Sequence, residues 1–119
     1  MSKVRTALVT GGNAGIGRAS VEKLLSLGHR CVVIDRTIES FETPKERVLW
    51  IQSDVSDKRE TEAAVLKAIA WSGRIHYLVS SAGFAEVVPS VELEEDSWRR
   101  VMATNLDGTM YSNQILVGT

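Results

Sequence analysis

The feature that most constrains this chain is a glycine-rich turn between an apolar run and a helical pattern. The apolar run stops at Thr10, four of the next seven residues are glycine (Gly11, Gly12, Gly15 and Gly17), and the helical pattern begins near Gly15. In this order, the free N–H groups and the positive dipole end of the helix face the turn, which suits a pyrophosphate. We expect Gly11 and Gly12 to take positive φ angles, and Gly15 and Gly17 to let a ligand approach the backbone.

Two other interpretations of this turn are considered. The spacing G-x3-G-x-G is not the commonest dinucleotide spacing, so an ordinary glycine-rich strand-to-helix turn remains an alternative. The G-x4-G spacing of a P-loop is also present, but Arg18 and Ala19 follow where that motif needs lysine and a hydroxyl residue. Nucleoside triphosphate chemistry is therefore disfavoured.

Composition limits the remaining function classes. The 119 residues carry a net charge of −1 without a basic block, so neither nucleic acid nor an anionic membrane is indicated as a partner. A single cysteine, Cys31, cannot form an internal disulfide, which favours a reducing compartment. We expect no signal peptide, no transmembrane span and a cytoplasmic location.

The hydrophobic pattern alternates between short apolar runs and helical periodicity. We predict strands at 4–9, 30–35, 48–51 and 75–79, and helices at 16–27, 57–71 and 92–115. Ser56 is the expected N-cap of the second helix, while Gly28 and Gly73 follow the first two helices. The segment 37–45 is a short helix or a loop, and 84–91 is a loop.

This alternation predicts a Rossmann-like α/β fold, a doubly wound parallel sheet truncated after about four strands, in one partial domain over residues 1–119. Its βαβ crossover is expected to be right-handed. Ligands of such sheets bind at the carboxyl ends of the strands, where the strand order reverses. Strand four would be an edge strand, so we expect marginal stability or association through that edge.

An acidic residue ends the second strand at the distance expected for ribose binding. Asp35 lies 18 positions after Gly17, and such a carboxylate can bind both adenosine ribose hydroxyls. It would repel a 2′-phosphate and so favours NAD. The neighbouring Arg36 could instead pair with a 2′-phosphate, which keeps NADP possible. A solvated loop carboxylate is the simpler alternative for Asp35.

Several motifs together resemble the short-chain dehydrogenase/reductase family. The segment 10–17, Thr-Gly-Gly-Asn-Ala-Gly-Ile-Gly, is similar to its TGxxxGIG cofactor motif, and Asp54-Val55 to its adenine-contacting pair. The segment 80–83, Ser-Ser-Ala-Gly, resembles its NNAG element with serine at both asparagine positions. Asn105 resembles its catalytic-site asparagine, and the resemblance covers roughly residues 3–115.

The resemblance implies a role for each matching residue. The phosphates would contact the loop formed by Thr10, Gly11, Gly12, Asn13, Ala14, Gly15, Ile16 and Gly17. The adenosine half would contact Asp35, Arg36, Asp54 and Val55. The nicotinamide side would rest on Ala82 and Gly83, and Asn105 would be the catalytic residue present. No metal site is expected.

The resemblance also implies catalytic residues that these 119 residues do not contain. The family uses a tyrosine followed four positions later by lysine, but Ser81 follows Tyr77 and Ile115 follows Tyr111. The first hypothesis is therefore the dinucleotide-binding half of an NAD(P)(H)-dependent oxidoreductase that interconverts an alcohol and a ketone. The alternative is a catalytically inactive dinucleotide-binding or interaction module, or a truncated product, so activity of this chain alone stays open. A homo-oligomer is possible, because the family commonly packs this last helix in a dimer interface.

Other candidate residues favour structural roles. His29 and Cys31 alternate along the second strand and could both face a metal, but two ligands without further partners are more often an ordinary strand. His76, where the family often has aspartate, is expected to be structural. Trp50, Trp71 and Trp98 are expected to be packing residues rather than a stacking platform.

Overall fold

The computed structural model describes residues 4–38, 46–83, 90–92 and 94–117. The elements in chain order are β1 Thr6–Thr10, α1 Gly15–Ser26, β2 Arg30–Asp35, β3 Val48–Gln52, α2 Lys58–Ser72, β4 Tyr77–Ser80, a 3-10 turn Ser90–Glu92, α3 Glu95–Met102, a π-helical turn Ala103–Asp107 and α4 Gly108–Val117. In this part of the chain, no helix is long and apolar enough to cross a membrane.

The four described strands form one parallel sheet in the order β3-β2-β1-β4. The predicted parallel α/β sheet is therefore confirmed. The strand order reverses between β1 and β4, because β2 and β3 extend the sheet on one side and β4 lies on the other. A crevice is expected where the loops that follow β1 and β4 diverge.

Side chains of β1 point alternately to the two faces of the sheet, as strand geometry requires. Leu8 belongs to a core cluster with Val65 and Ala68 of α2, and Ile115 of α4 packs against that cluster. Neighbouring β1 residues belong to a second cluster, which contains Val21 of α1. The sheet is thus covered on both faces, as in a doubly wound fold.

The second helix begins one residue later than predicted. Asp57, not Ser56, is its N-cap, and the Asp57 carboxylate accepts hydrogen bonds from the N–H groups of Arg59 and Glu60 at 2.9 and 3.1 Å. Ser56 is occupied elsewhere, because its N–H and hydroxyl both donate to Asp54. Both residue types can cap a helix, so the sequence alone did not separate them.

Other boundaries differ from the predictions where tertiary pairing decides them. The first strand is Thr6–Thr10 and the fourth is Tyr77–Ser80, because β4 pairs with β1 from Ala7 opposite Tyr77 onward. The first helix, Gly15–Ser26, ends before Gly28, which adopts a φ of 88° after the C-cap. The predicted continuous helix at 92–115 is wrong, since the π-helical turn Ala103–Asp107 divides it.

The predicted short helix or loop at 37–45 and the predicted loop at 84–91 lie mainly outside the described residues. Residues 39–45 of the segment 37–45 lie outside them, as do residues 84–89 of the loop 84–91. Of the tryptophans, Trp50 and Trp71 pack against the core clusters as expected, whereas Trp98 is 53% exposed. His76 has a structural contact, because its Nδ1 accepts a hydrogen bond from the Thr6 N–H at 3.1 Å.

We predict that Asp57→Ala lowers the free energy of unfolding by about 1 kcal/mol, because two N–H groups of α2 lose their acceptor. Chemical denaturation followed by circular dichroism measures this change. Asp57→Asn should retain most of the stability, and Glu62→Ala, an exposed change within α2, is the matched control. Equal stability of Asp57→Ala and the wild type would contradict the capping role.

Candidate dinucleotide-binding site

A cleft of about 470 Å³ lies at the carboxyl ends of β1, β2 and β4. Nine of the predicted site residues line it: Gly11, Ala14, Gly15, Ile16, Asp35, Arg36, Val55, Ala82 and Gly83. Ile34, Ser53, Ser81 and Thr104 line it as well. The segments that follow the four strands thus meet at one edge of the sheet.

The glycine loop is packed against the end of β4. A Cβ atom on Gly11, whose φ is 67°, would lie 2.7 Å from the Ala82 backbone. A Cβ on Gly17 would overlap the Gly11 carbonyl oxygen and the Ser81 hydroxyl. The expected close approach at Gly17 is therefore made by the protein's own backbone, and this contact fixes the position of the first turn of α1.

Gly12 differs in its role from the sequence prediction, whereas Gly15 has open space beside it. Gly12 does not have a positive φ. Instead, a Cβ there would lie 2.6 Å from Cγ1 of Val33, so the buried side chain of β2 excludes any larger residue. Gly15 has a φ of 59°, and the position of the Cβ that it lacks is open space. Of the two, Gly15 is the residue that leaves open space at the cleft.

Serine at the second asparagine position still joins β4 to β1. The Ser81 N–H lies 3.2 Å from both the carbonyl oxygen and Oγ1 of Thr10, and the Ser81 hydroxyl donates to that carbonyl at 2.5 Å. Thr10 is thus engaged by β4 and is absent from the cleft lining. Its hydroxyl stabilises the junction beneath the site.

The Asp35 carboxylate is fixed by two backbone groups. Its Oδ2 accepts from the Asn13 N–H at 3.1 Å, and its Oδ1 accepts from the Thr37 N–H at 3.2 Å. Asn13 is itself buried, so the first bond connects the glycine loop to the end of β2. A carboxylate has about four acceptor positions, so Asp35 retains capacity for two hydroxyl donors.

Asp54 lies in an adjoining cleft of about 310 Å³, which Arg36 and Ser53 also line. Its Oδ1 accepts from the N–H and the hydroxyl of Ser56 at 2.9 and 2.7 Å, and its Oδ2 lies 3.8 Å from Arg36 Nε. Partial burial raises the pKa of Asp54, but the Ser56 hydrogen bonds and the Arg36 charge together bring it below its ordinary value of 3.8. Asp54 is therefore ionised at neutral pH.

Asn105 lies in the π-helical turn, next to the end of β4. A Cβ on Gly83 would lie 2.9 Å from Asn105 Oδ1, so the amide is in contact with the Gly83 backbone. The preceding residue, Thr104, is buried and lines the cleft. π-helical turns often occur at functional sites because the extra residue redirects side chains.

Four cleft residues were not predicted as site residues. Ile34, Ser53 and Thr104 each directly precede a predicted residue, and Ser81 lies inside the recognised segment 80–83. Ser53 is 5% exposed, and its hydroxyl has no hydrogen-bond partner in the structure. Conversely, Thr10, Gly12, Asn13, Gly17, Asp54 and Asn105 do not line the main cleft.

The second-strand cysteine lies away from this cleft. Cys31 is fully buried, and burial raises its pKa to about 11, so it remains a neutral thiol. His29 Nδ1 accepts a hydrogen bond from the Arg5 N–H. No group of three potential metal ligands occurs among residues 4–38, 46–83, 90–92 and 94–117.

Comparisons with known proteins identify the family of this chain. Residues 5–118 match the family model described as short chain dehydrogenase. A curated relative, 3beta-hydroxysteroid dehydrogenase 2 of Eggerthella lenta, is 30% identical over 92% of this chain and 45% of its own length. The chain therefore belongs to the short-chain dehydrogenase/reductase family.

Two solved structures show the same fold. A short-chain dehydrogenase/reductase of Brucella melitensis, described as a glucose/ribitol dehydrogenase, superposes with a TM-score of 0.90 at 32% identity, covering 96% of this chain and 51% of its own. A short chain dehydrogenase of Leptospira borgpetersenii with bound NAD+ gives 0.89 at 26% identity, covering 96% and 45%. The chain spans about half the length of the relatives that it matches.

We predict that Gly108→Ala destabilises the chain, although Gly108 has helical angles (φ −61°, ψ −39°) at which alanine is ordinarily preferred by about 1 kcal/mol. The added Cβ would lie 2.6 Å from Cγ2 of Val55 and would push α4 away from the cleft. The expected loss is about 1–3 kcal/mol in the free energy of unfolding.

A double-mutant cycle with Val55→Ala checks this contact, because that change removes the obstructing methyl group. We expect a coupling energy of at least about 1 kcal/mol between the two changes. Additive effects would show that the Gly108–Val55 contact does not position α4.

Proposed function

We propose that this chain binds a nicotinamide dinucleotide in the 470 Å³ cleft, and that it forms the cofactor-binding part of an oxidoreductase that interconverts an alcohol and a ketone. Family membership supports the class of reaction. The local geometry supports the cofactor, because its residues offer donors for a pyrophosphate and acceptors for a ribose.

The observation that carries the proposal is the uncapped N-terminus of α1 at the cleft. Its N-cap residue, Ala14, makes no side-chain cap, and the first turn contains no acidic residue. In contrast, α2 has the Asp57 cap and Glu60 in its first turn. The first N–H groups of a helix need acceptors, and those of α1 open on the space beside Gly15, where a pyrophosphate would supply them.

Asp35 supports the adenosine end of the same binding mode. Its carboxylate is tied to the glycine loop through Asn13, so a ribose and a pyrophosphate could be held together. The negative charge favours NAD over NADP. Asp54 and Val55 are proposed to contact the adenine, with Ser53 beside them.

At the other end, Ala82 and Gly83 are proposed to support the nicotinamide side. The cofactor, when bound, supplies or accepts the hydride. Asn105 is held against Gly83, where its amide could position a water molecule or a backbone group in a proton path. Proton exchange with a substrate would further require a Tyr-x3-Lys pair, which these 119 residues do not contain.

The second candidate function is a dinucleotide-binding module that does not catalyse the reaction by itself. Both candidates require the same cleft. They differ in whether a tyrosine and a lysine from elsewhere complete the site. A turnover assay of this chain with and without a polypeptide that carries a Tyr-x3-Lys pair separates them. The cytoplasmic location remains a proposal that rests on the single, reduced and buried Cys31.

We predict saturable binding of NADH that raises the thermal unfolding midpoint, with NADPH binding more weakly. Nicotinamide fluorescence and thermal unfolding, measured on the same samples, check this. Asp35→Asn should lower NADH affinity roughly tenfold, because the charged acceptor is lost. It should also reduce the difference in affinity between NADH and NADPH.

Glu62→Gln removes an equivalent charge from an exposed position of α2 and is the control for Asp35→Asn. A chain that unfolds cooperatively but binds neither cofactor would contradict the dinucleotide-binding function. Binding that Asp35→Asn leaves unchanged would contradict the ribose role of Asp35 alone.

We also propose that two copies associate through the outer face of α3, the π-helical turn and α4. Trp98, Leu106 and Met110 are each more than half exposed, at 53%, 57% and 52%, and they recur at steps of four or eight residues. Such a row of large apolar side chains is more typical of an interface than of a solvated helix face.

Trp98→Lys is predicted to shift the chain from dimer to monomer, because it places a charge in the apolar row. Sedimentation velocity at several concentrations measures the change, with Val91→Lys, at a 95% exposed residue outside α3 and α4, as control. A wild-type chain that is monomeric at all concentrations would contradict this association.

A further inference from the structure

A second cleft, of about 370 Å³, lies at the opposite end of the sheet from the glycine loop. Its lining comes from Arg5, just before β1, and from the consecutive residues Arg74, Ile75, His76 and Tyr77, which lead into β4. The proposed dinucleotide site does not use any of these residues. These residues carry two guanidinium groups, an imidazole and a phenol.

The hydrogen bonds within this cluster use acceptor atoms of Tyr77 and His76. Arg5 donates to the Tyr77 hydroxyl oxygen at 2.6 Å, so the phenolic proton remains available to another acceptor. His76 Nδ1 accepts from the Thr6 N–H, so the neutral ring carries its proton on Nε2. The acceptor atoms of both side chains are thus used internally.

The positive charges are not neutralised by carboxylates in the part of the chain that the structure describes. Its ion pairs involve Arg18, Arg36 and Arg99, but neither Arg5 nor Arg74. The Arg5 guanidinium lies 5.8 Å from the centre of the Tyr77 ring. His29 also supports that ring, with its centroid 6.3 Å away at an interplanar angle of 73°.

We propose that this cleft binds a phosphate group, either free or as a phosphate ester. Two guanidinium groups with phenolic and imidazole donors suit a tetrahedral oxyanion, which accepts hydrogen bonds in several directions. The position at the amino end of β1 and β4 separates this cleft from the pyrophosphate-binding loop at their carboxyl ends.

The two histidines of the chain provide a selective probe, because His29 contacts the Tyr77 ring and His76 lines the cleft. Their imidazole signals are followed by nuclear magnetic resonance while inorganic phosphate is added to the full chain at fixed pH. Sodium chloride at equal ionic strength is the reference titration. We expect saturable shifts with phosphate and no saturable shift with chloride.

Arg74→Gln should weaken phosphate binding roughly tenfold, because one charge-assisted hydrogen bond is lost. Arg59→Gln is the matched control, since Arg59 is exposed near the other end of α2. Tyr77→Phe removes the phenolic donor but keeps the ring, and should weaken binding less than Arg74→Gln. Repeating the titration with glycerol 3-phosphate separates an ester site, which would bind it more tightly, from a site for the free ion.

Three results would overturn the proposal. Equal, non-saturating shifts of the histidine signals with phosphate and with chloride would indicate an adventitious ion only. Arg74→Gln could lower the stability of the chain but leave the phosphate-induced histidine shifts unchanged. That result would mean that Arg74 serves only to compensate the negative dipole end of α2. Signals of both histidines that do not change as phosphate is added would show that the ion does not bind this cleft, an outcome that leaves the proposed dinucleotide function intact.

Discussion

The close contact between the glycine loop and the end of β4 is the constraint on which the rest of the structure depends. At Gly11, the loop meets the backbone of Ser81 and Ala82 with no room for a side chain. At Gly17, the start of α1 meets the Gly11 carbonyl and the Ser81 hydroxyl just as closely. Thr10 supplies the hydrogen bonds that hold β4 in this position. Because the three elements are fixed together, the N-terminus of α1 opens onto the cleft rather than onto bulk solvent.

The cleft then follows from the strand order. β1 is central and its three inner residues are fully buried, so the loops after β1 and β4 must leave the sheet in different directions. The Asn13 N–H to Asp35 bond closes one side of the opening by joining the loop to β2. Asn105, brought to Gly83 by the π-helical turn, approaches it from the β4 side. The cleft is therefore shaped mainly by backbone contacts, with few large side chains.

Much of this arrangement was predictable because it depends on local patterns. Apolar runs located the four strands, and the alternation with helices predicted a parallel sheet with a crevice at the carboxyl ends. The role of Gly12 was not predictable, because it depends on Val33, which lies in another strand. The start of β4 at Tyr77 depends likewise on its register with Ala7.

The last helix and the N-cap of α2 show two further limits of prediction from the sequence. A single extra residue produces the π-helical turn at Ala103–Asp107, and it leaves no mark in composition or apolar spacing. Ser56 and Asp57 are both good N-caps. The choice between them was decided by Asp54, whose carboxylate binds Ser56 and leaves Asp57 to cap α2.

Under the proposed binding mode, the preference between NAD and NADP rests on Asp35 more than on Arg36. The Arg36 guanidinium lies 3.8 Å from Asp54, and its side chain is 61% exposed. Such a pair stabilises a protein by only about 0–1 kcal/mol, so Asp54 would not prevent Arg36 from turning toward a 2′-phosphate. Asp35 cannot move away as easily, because two backbone N–H groups hold its carboxylate. A 2′-phosphate would therefore be attracted by the weakly restrained Arg36 and repelled by the fixed negative charge of Asp35. The fixed charge should decide the preference, in favour of NAD.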